Sequence, residues 1–278
     1  LMMDENSGLP SVKEVFDTTP YTILVVDDNP DMTDFLKRTF EGYFKRIIIA
    51  GDGVEALQLV RSHVPDIIVS DVMMPRMNGY KLCKTIKEDI NISHIPVILL
   101  TARDDRQSQI SGYKNGADGY LSKPFEVEML MELIRNRLKN REYTKKRYLN
   151  AGLIPTPEES TISLTDETFL IKLNSIIQEN IENSNLGIQF ICQEVGLGRS
   201  SLYNKLKALT GMGANEYISK LRIEKAITLI SGTDMPFSEI AEKTGFTTPS
   251  YFSTAFKQYT GETPSQYKER KKKGLAGK

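Results

Sequence analysis

The chain contains few of the residues that build disulfide frameworks, zinc clusters or histidine-based catalytic sites. Its 278 residues include two cysteines and two histidines. Cys83 and Cys192 are far apart in sequence, and His63 and His94 are isolated as well. This spacing excludes a paired zinc motif and a disulfide framework, and it argues against a catalytic triad built on histidine. We expect both cysteines to be reduced thiols of a cytoplasmic protein.

Long apolar runs are also missing. No stretch approaches the roughly 18 apolar residues that would span a bilayer, and residues 1–20 lack the basic start and apolar stretch of a signal peptide. The sequence therefore predicts no membrane segment. Residues 1–20 are polar and rich in turn residues, and the chain opens at Leu1, so we expect this segment to be a linker or leader within a longer protein.

Charge is balanced overall but unevenly distributed. The chain has 36 basic and 36 acidic side chains. Residues 1–140 carry 21 acidic and 17 basic groups, net −4, whereas residues 185–278 carry 8 acidic and 14 basic groups, net +6. The basic half is therefore suited to a polyanionic partner.

Residues 21–140 alternate short apolar runs with amphipathic stretches of helical period. The runs lie at Ile23–Val26, Ile47–Ala50, Ile67–Ser70, Val97–Leu100 and Tyr120–Leu121. Near-continuous apolar strands that alternate with helices predict an α/β domain whose five-stranded parallel sheet is covered on both faces. The turn-rich and charged residues 141–165 predict a linker.

The remaining sequence is helical in period and contains an internal repeat. Ile191, Gly196 and Leu197 recur 49 positions later as Ile240, Gly245 and Phe246. Each copy comprises an apolar helix, a glycine-containing turn and a second helix, and a further helix at about 214–231 separates the copies. Residues 166–270 are therefore predicted to be an all-α domain with two helix-turn-helix motifs, followed by a basic tail at 271–278.

Polar residues follow the predicted strands at positions suited to one shared site. Asp27 and Asp28 follow the first strand, Asp71 the third, Thr101 the fourth and Lys123 the fifth. In open parallel sheets, ligands bind beyond the carboxyl ends of the strands. Clustered carboxylates repel one another unless a cation joins them, and oxygen ligands suit Mg²⁺. Such a site favours phosphoryl transfer to a carboxylate, with Lys123 pairing with a phosphoryl oxygen and the Thr101 hydroxyl donating to another.

Residues 21–140 resemble the receiver domain of two-component response regulators, which has a flavodoxin-like, doubly wound fold. The resemblance is carried by Val25-Val26-Asp27-Asp28-Asn29, Ser70-Asp71-Val72-Met73-Met74-Pro75, Leu99-Leu100-Thr101-Ala102 and Gly119-Tyr120-Leu121-Ser122-Lys123-Pro124-Phe125. It implies that Asp71 accepts a phosphoryl group from a histidine kinase, and that Asp27, Asp28, Asp71 and the Met73 carbonyl hold Mg²⁺. It also implies that Thr101 and Tyr120 report the phosphate, that a cis proline follows Lys123, and that phosphorylated domains pair as homodimers through residues 104–140.

The second helix of each motif has a predicted outward face. With Leu202, Leu206 and Leu209 buried, Ser200, Asn204 and Lys207 point outward. With Phe252, Phe256 and Tyr259 buried, Ser250, Thr254 and Lys257 do the same. Hydroxyl and amide groups suit base edges, and lysines suit phosphates. Predicted contacts to double-stranded DNA are Arg199, Ser200, Asn204, Lys207, Thr248, Ser250, Thr254 and Lys257, and Arg222 is a possible addition.

Residues 167–270 resemble the AraC/XylS-type DNA-binding domain. The residues on which this resemblance rests are Gly196–Tyr203, Gly245-Phe246, Ser250–Ser253, Phe256-Lys257, Gly261, Thr263-Pro264 and Tyr267. One departure is Gly198, where a serine that caps the helix is expected. Phe246, Phe252, Phe256 and Tyr267 are predicted core residues. The resemblance implies a sequence-specific transcription regulator that acts as an activator.

The combined order resembles the C-terminal part of hybrid two-component proteins, and a free-standing response regulator is the alternative. Neither reading predicts an enzyme beyond self-phosphorylation and self-dephosphorylation, although a kinase domain belongs to the hybrid arrangement. A phosphatase of the haloacid dehalogenase type would need an Asp-x-Asp motif on the first strand, where this sequence has Asp27-Asp28-Asn29. A pure phosphorelay intermediate would not need the basic helix-turn-helix region.

Overall fold

The computed structural model describes residues 15–102, 116–150 and 163–275. Its first part is an α/β domain with β1 (Thr22–Val26), α1 (Pro30–Phe40), β2 (Arg46–Ala50), α2 (Gly53–His63), β3 (Ile67–Asp71), α3 (Gly79–Glu88), β4 (Val97–Ala102), β5 (Gly119–Lys123) and α4 (Val127–Asn150). The strands are parallel in the order β2-β1-β3-β4-β5. This order is the flavodoxin-like one, and it confirms the predicted sheet.

Both faces of the sheet are buried because successive side chains of each strand point to opposite sides. Leu24, Ile68 and Leu99 pack into the core beneath α2 and α3. Ile23, Val69 and Leu100 pack into the second core, beneath α1 and α4. This two-sided burial explains why the strands are almost continuously apolar in sequence.

The last helix of this domain is longer than the sequence predicted. Helix α4 continues through Asn150, ten residues into the predicted linker. Residues 141–150 contain no glycine or proline, and the first proline beyond them is Pro155. Arg141 also ties this extension to the sheet domain, because it donates to the Asp66 carbonyl at 3.1 Å.

The second part is all-helical, with α5 (Leu164–Glu179), α6 (Ile188–Val195), α7 (Arg199–Thr210), α8 (Ala214–Gly232), α9 (Phe237–Lys243), α10 (Pro249–Thr260) and α11 (Pro264–Leu275). Helix α11 includes residues 271–275, which had been predicted to be a tail. No described helix is both long and apolar enough to cross a membrane.

Helix α8 is shared between two hydrophobic cores. Its first half, with Tyr217 and Leu221, packs with α5, α6 and α7. Its second half, with Ile223 and Ile230, packs with α9, α10 and Tyr267. Each fully buried side chain of this size contributes about 1.5–3 kcal/mol, so α8 holds the two helix-turn-helix motifs in a fixed relation.

Candidate metal centre and nucleic-acid interface

The strand register brings the predicted polar residues of the first domain to one edge of the sheet. Asp71 is the last residue of β3 and is paired with Leu100, next to Thr101 of β4. Ala102 in turn is paired with Lys123, the last residue of β5. The strands therefore include Asp71, Thr101 and Lys123, which the sequence had placed just after them. The three residues still lie at the shared carboxyl edge, as the sequence predicted.

Three carboxylates converge at this edge. Oxygens of Asp27, Asp28 and Asp71 lie within 4.8 Å of one another. Asp27 and Asp71 are buried and Asp28 is exposed. An all-oxygen set of this kind fits a hard divalent cation. The Met73 amide donates to Asp71 at 3.0 Å, whereas a role for the Met73 carbonyl as a metal ligand stays a prediction.

Lys123 links two of these carboxylates. Its ammonium lies 2.8 Å from Asp27 and 2.7 Å from Asp71. Burial raises the pKa of Asp71, and hydrogen bonding and charge from Lys123 offset part of that rise. Burial acts to lower the pKa of Lys123, but hydrogen bonds to both aspartates outweigh it and raise that pKa. The Lys123–Pro124 peptide bond is cis, as the family resemblance implied.

The Thr101 hydroxyl lies buried beside this cluster. Thr101 is 0% exposed, and its Oγ1 has no hydrogen-bond partner among the described residues. Tyr120 is half-buried and packs against the core under α2 and α3. A buried donor without a partner is costly, so Thr101 is suited to a ligand that supplies an acceptor oxygen.

Gly79 supports the strand that ends at Asp71, and sequence reasoning missed it. A Cβ at Gly79 would lie 2.2 Å from the Asp71 carbonyl oxygen. The Gly79 amide also donates to the Val72 carbonyl at 3.0 Å. The Asn78-Gly79 dipeptide marks a turn, but the sequence does not show which backbone that turn approaches.

Both predicted helix-turn-helix motifs are present, formed by α6 with α7 and by α9 with α10. Leu202, Leu206 and Leu209 are buried, as are Phe246, Phe252, Phe256 and Tyr267. These observations confirm the predicted core. The predicted contact residues Arg199, Ser200, Lys207, Thr248, Ser250, Thr254 and Lys257 are exposed, and Asn204 is half-buried.

The two recognition helices begin differently. Gly198 precedes α7 without a side-chain cap, whereas the Thr248 hydroxyl caps α10 by accepting from the Tyr251 amide at 3.2 Å. At Gly198, where a serine was expected, the helix start therefore lacks a side-chain cap. Thr248 has a structural role of its own, and its contact with DNA stays a prediction.

Two expectations about the helical domain need correction. Tyr259 is 39% exposed rather than buried, because it lies at the margin of the apolar stripe, where its hydroxyl donates to Glu224 at 3.3 Å. Arg222, the further candidate contact, is half-buried rather than fully exposed. It donates to the Asn183 carbonyl at 2.7 Å, and its guanidinium carbon lies 5.9 Å from the Phe246 ring centroid. Arg222 thus braces the two halves of the domain.

The fold and the two sites define a class of protein, a receiver domain joined to a helix-turn-helix regulator. The family model described as a response regulator receiver domain matches residues 23–135, and one described as a helix-turn-helix domain, of the AraC type, matches residues 191–270. Response regulator MprA from Mycobacterium sp. (strain KMS) is 36% identical over 165 residues, which cover 55% of this chain and 70% of MprA. The chain belongs to the response regulator family.

Two further similarities concern a longer protein and a solved structure. "Histidine kinase P4" from Formosa agariphila is 41% identical over 249 residues, which cover 90% of this chain but 18% of the length of that kinase. A crystal structure of a putative response regulator from Chloroflexus aurantiacus has 34% identity and a TM-score of 0.42, covering 44% of this chain and 99% of that one.

Proposed function

We propose that Asp71 is phosphorylated by a histidine kinase and that this phosphorylation controls sequence-specific DNA binding by the helical domain. The observation that carries the proposal is the arrangement around Asp71. Its carboxylate lies beside Asp27, Asp28 and Lys123, next to the buried Thr101 hydroxyl, which has no hydrogen-bond partner in the described part of the chain. The site thus contains carboxylates that can hold a cation, a fixed ammonium group, and a hydroxyl that can donate a hydrogen bond to a ligand. This combination suits a transferred phosphoryl group.

In the proposed reaction an Asp71 carboxylate oxygen attacks the phosphorus of a phosphohistidine. The P–N bond breaks, an acyl phosphate forms, and the leaving imidazole nitrogen takes up a proton from solvent. Lys123 then pairs with one phosphoryl oxygen, and Thr101 donates to another. Asp27, Asp28 and Asp71 would hold Mg²⁺, which when bound neutralises charge on the phosphoryl oxygens.

The surface beside the site suits a protein donor. Met32 and Phe35 of α1 line a groove with Lys123, Pro124 and Phe125. Phe35 is 48% exposed. A kinase that presents phosphohistidine to Asp71 would contact this groove, whereas a small phosphodonor would not need it.

The exposed faces of α7 and α10 suit the major groove of DNA. Hydroxyl and amide groups of Ser200, Asn204, Ser250 and Thr254 are matched to base edges, and the lysines to phosphates. Because α8 joins the motifs rigidly, we propose that the two helices enter successive major grooves of one operator. Following the AraC resemblance, we propose that the bound form activates transcription.

We further propose that phosphorylated receivers pair. The predicted pairing face, residues 104–140, falls partly on residues 104–115, which lie outside the described residues. We propose that the kinase is supplied in cis, with supply in trans as the alternative. The 41% identity over 90% of this chain to a protein named as a histidine kinase favours the hybrid arrangement.

The proposal is tested by phosphorylation with a small phosphodonor in Mg²⁺. Asp71→Asn is expected to abolish labelling, because an amide is a poor nucleophile. Asp89→Asn is a matched control, since Asp89 pairs with Arg61 away from the site, and it should label as the wild type does. Full labelling of Asp71→Asn would show that the phosphoacceptor lies elsewhere.

A further inference from the structure

A buried lysine connects the two domains. Lys205 of α7 is 0% exposed. Its ammonium binds the Asp166 carboxylate of α5 and donates at 2.8 Å to the hydroxyl of Ser93 in the receiver. The Ser93 hydroxyl in turn donates to Asp166 at 2.7 Å. Ser93 is 0% and Asp166 2% exposed, so the three side chains form a closed network across the domain boundary.

Neighbouring contacts extend this junction. The Thr165 hydroxyl donates to the Lys87 carbonyl at 3.0 Å, and Ile90 packs against the hydrophobic core of the first motif. We define Lys87, Ile90 and Ser93 as the docking face of the receiver. Next to it, α4 and α7 enclose a cavity of about 70 Å³, lined by residues that include Arg137, Arg141, Ala208 and Leu209.

The junction leaves the outward face of α7 accessible. Lys207 and Ser200 are exposed on the same helix on which Lys205 is buried. Two lysines that are two residues apart therefore have different surroundings, one facing the receiver and one facing solvent. Docking of the receiver therefore leaves Ser200 and Lys207, two of the residues predicted to contact DNA, exposed.

The junction is also remote from the phosphoacceptor. Ser93 precedes β4, whereas Asp71, Thr101 and Lys123 lie at the carboxyl edge of the sheet. The four steps from Val97 to Thr101 alone span about 13 Å at the usual rise of a strand. The Ser93 network therefore has no direct contact with the groups at the carboxyl edge, and we expect phosphorylation at Asp71 to leave it unchanged.

We propose that the docking face is an interaction surface for the first helix-turn-helix of the same chain, and that the Ser93–Asp166–Lys205 network fixes the orientation of α7 on the receiver. The contact between the docking face and the first helix-turn-helix is kept in both the phosphorylated and the unphosphorylated protein. Domain contacts within a chain are commonly mobile, but a buried ion pair with directional hydrogen bonds favours one relative orientation. Pairing of receivers would then set the relative placement of the recognition helices. This last step rests on the proposed function.

The test uses the full chain and hydrogen–deuterium exchange, with each variant read out in the opposite domain. Lys205→Met removes the ammonium but keeps a long side chain, and it should speed exchange of receiver residues 89–95 about tenfold, the effect of losing one charged hydrogen bond. Ser93→Ala should speed exchange in residues 163–170. Lys207→Met is the matched control and should change neither segment. Small-angle scattering should show a larger radius of gyration than that of the wild type for Lys205→Met, and an unchanged radius for Lys207→Met.

Beryllofluoride with Mg²⁺ separates this inference from the proposed function. In the wild type it should slow exchange around Asp71 while residues 89–95 keep their protection. No response around Asp71 would count against the proposed function, and the comparison of the lysine variants would still test the surface. Equal exchange and equal scattering for Lys205→Met and Lys207→Met, or loss of protection at 89–95 on adding beryllofluoride, would overturn the inference.

Discussion

The Lys123 ammonium lies 2.7 Å from the Asp71 carboxylate, at the carboxyl edge of the sheet. It also pairs with Asp27 at 2.8 Å, so it is a fixed positive charge among groups that would hold a metal. The same charge repels a cation and attracts a phosphoryl group. Its removal should therefore affect the two ligands differently.

Lys123→Met is expected to abolish the gain in DNA affinity that follows phosphorylation, while Mg²⁺ binding is kept or strengthened because a competing cation is lost. Titration calorimetry with Mg²⁺ and DNA titration with and without beryllofluoride measure the two effects. Lys81→Met, on the exposed side of α3, should leave both unchanged. Weaker Mg²⁺ binding as the main effect of Lys123→Met would contradict the assignment.

Thr101→Val is expected to stabilise the unphosphorylated protein while it impairs the response to phosphate. It removes a buried hydroxyl that has no partner among the described residues, so the free energy of unfolding should rise by about 1 kcal/mol. Thr210→Val is the matched control. Thr210 is equally buried, but its hydroxyl donates to Leu206 at 2.8 Å, so this change should lower stability by about 1 kcal/mol.

Denaturant unfolding compares the two valine variants, and beryllofluoride-dependent sedimentation reports the response to phosphate. If Thr101→Val destabilises the protein as much as Thr210→Val does, the Thr101 hydroxyl is already bonded in the unphosphorylated state. The proposed role as a free donor would then be wrong.

Phe35→Ala is expected to slow phosphorylation by a histidine kinase and to leave labelling by a small phosphodonor unchanged, because Phe35 contributes to the groove beside Lys123. Tyr43→Ala is the matched control, since Tyr43 is also 48% exposed but does not line that groove. Initial rates with both donors measure the difference. Equal slowing by both variants would show that the groove is not used by the kinase.

Gly245 and Gly196 occupy equivalent positions of the repeat, with φ of 71° and 75°. A Cβ at Gly245 would lie 2.2 Å from the Ile181 carbonyl oxygen, whereas one at Gly196 has nothing within 4 Å. Gly196→Ala should therefore cost about 1 kcal/mol for its left-handed backbone. Gly245→Ala should cost about 3 kcal/mol or more, because the backbone must also shift. Similar losses in denaturant unfolding would show that the packing around Gly245 is loose.

Much of this architecture follows from local sequence pattern. Continuous apolar strands predicted the sheet, and a repeat of 49 residues predicted two motifs, because both signals depend on residues close in sequence. Contacts between segments that are distant in sequence produce no local pattern from which they could be predicted. The half-buried position of Arg222 depends on Asn183 and Phe246, and burial of Lys205 depends on Ser93, 112 residues earlier. The length of α4 was missed because a charged run was interpreted as a linker.

Two exposed residues of α10 are expected to contact DNA in different ways. Lys257 and Thr254 are both exposed on this helix, but their side chains suit different groups of DNA. If Lys257 pairs with a phosphate, Lys257→Ala should weaken binding to all sequences and lower the salt slope by about 1. If Thr254 contacts a base edge, Thr254→Ala should relax preference at one base position by about 1 kcal/mol and leave the salt slope unchanged.

Fluorescence titrations at several salt concentrations, on a selected operator and a scrambled duplex, separate these effects. Gln258→Ala is a useful control, because Gln258 is exposed on the same helix but lies outside the predicted contact set. The two half-sites should lie about 10 base pairs apart, since α8 joins α7 and α10 in one rigid unit. If Lys257→Ala and Thr254→Ala lose affinity equally on both duplexes with an unchanged salt slope, α10 does not enter the groove by this face.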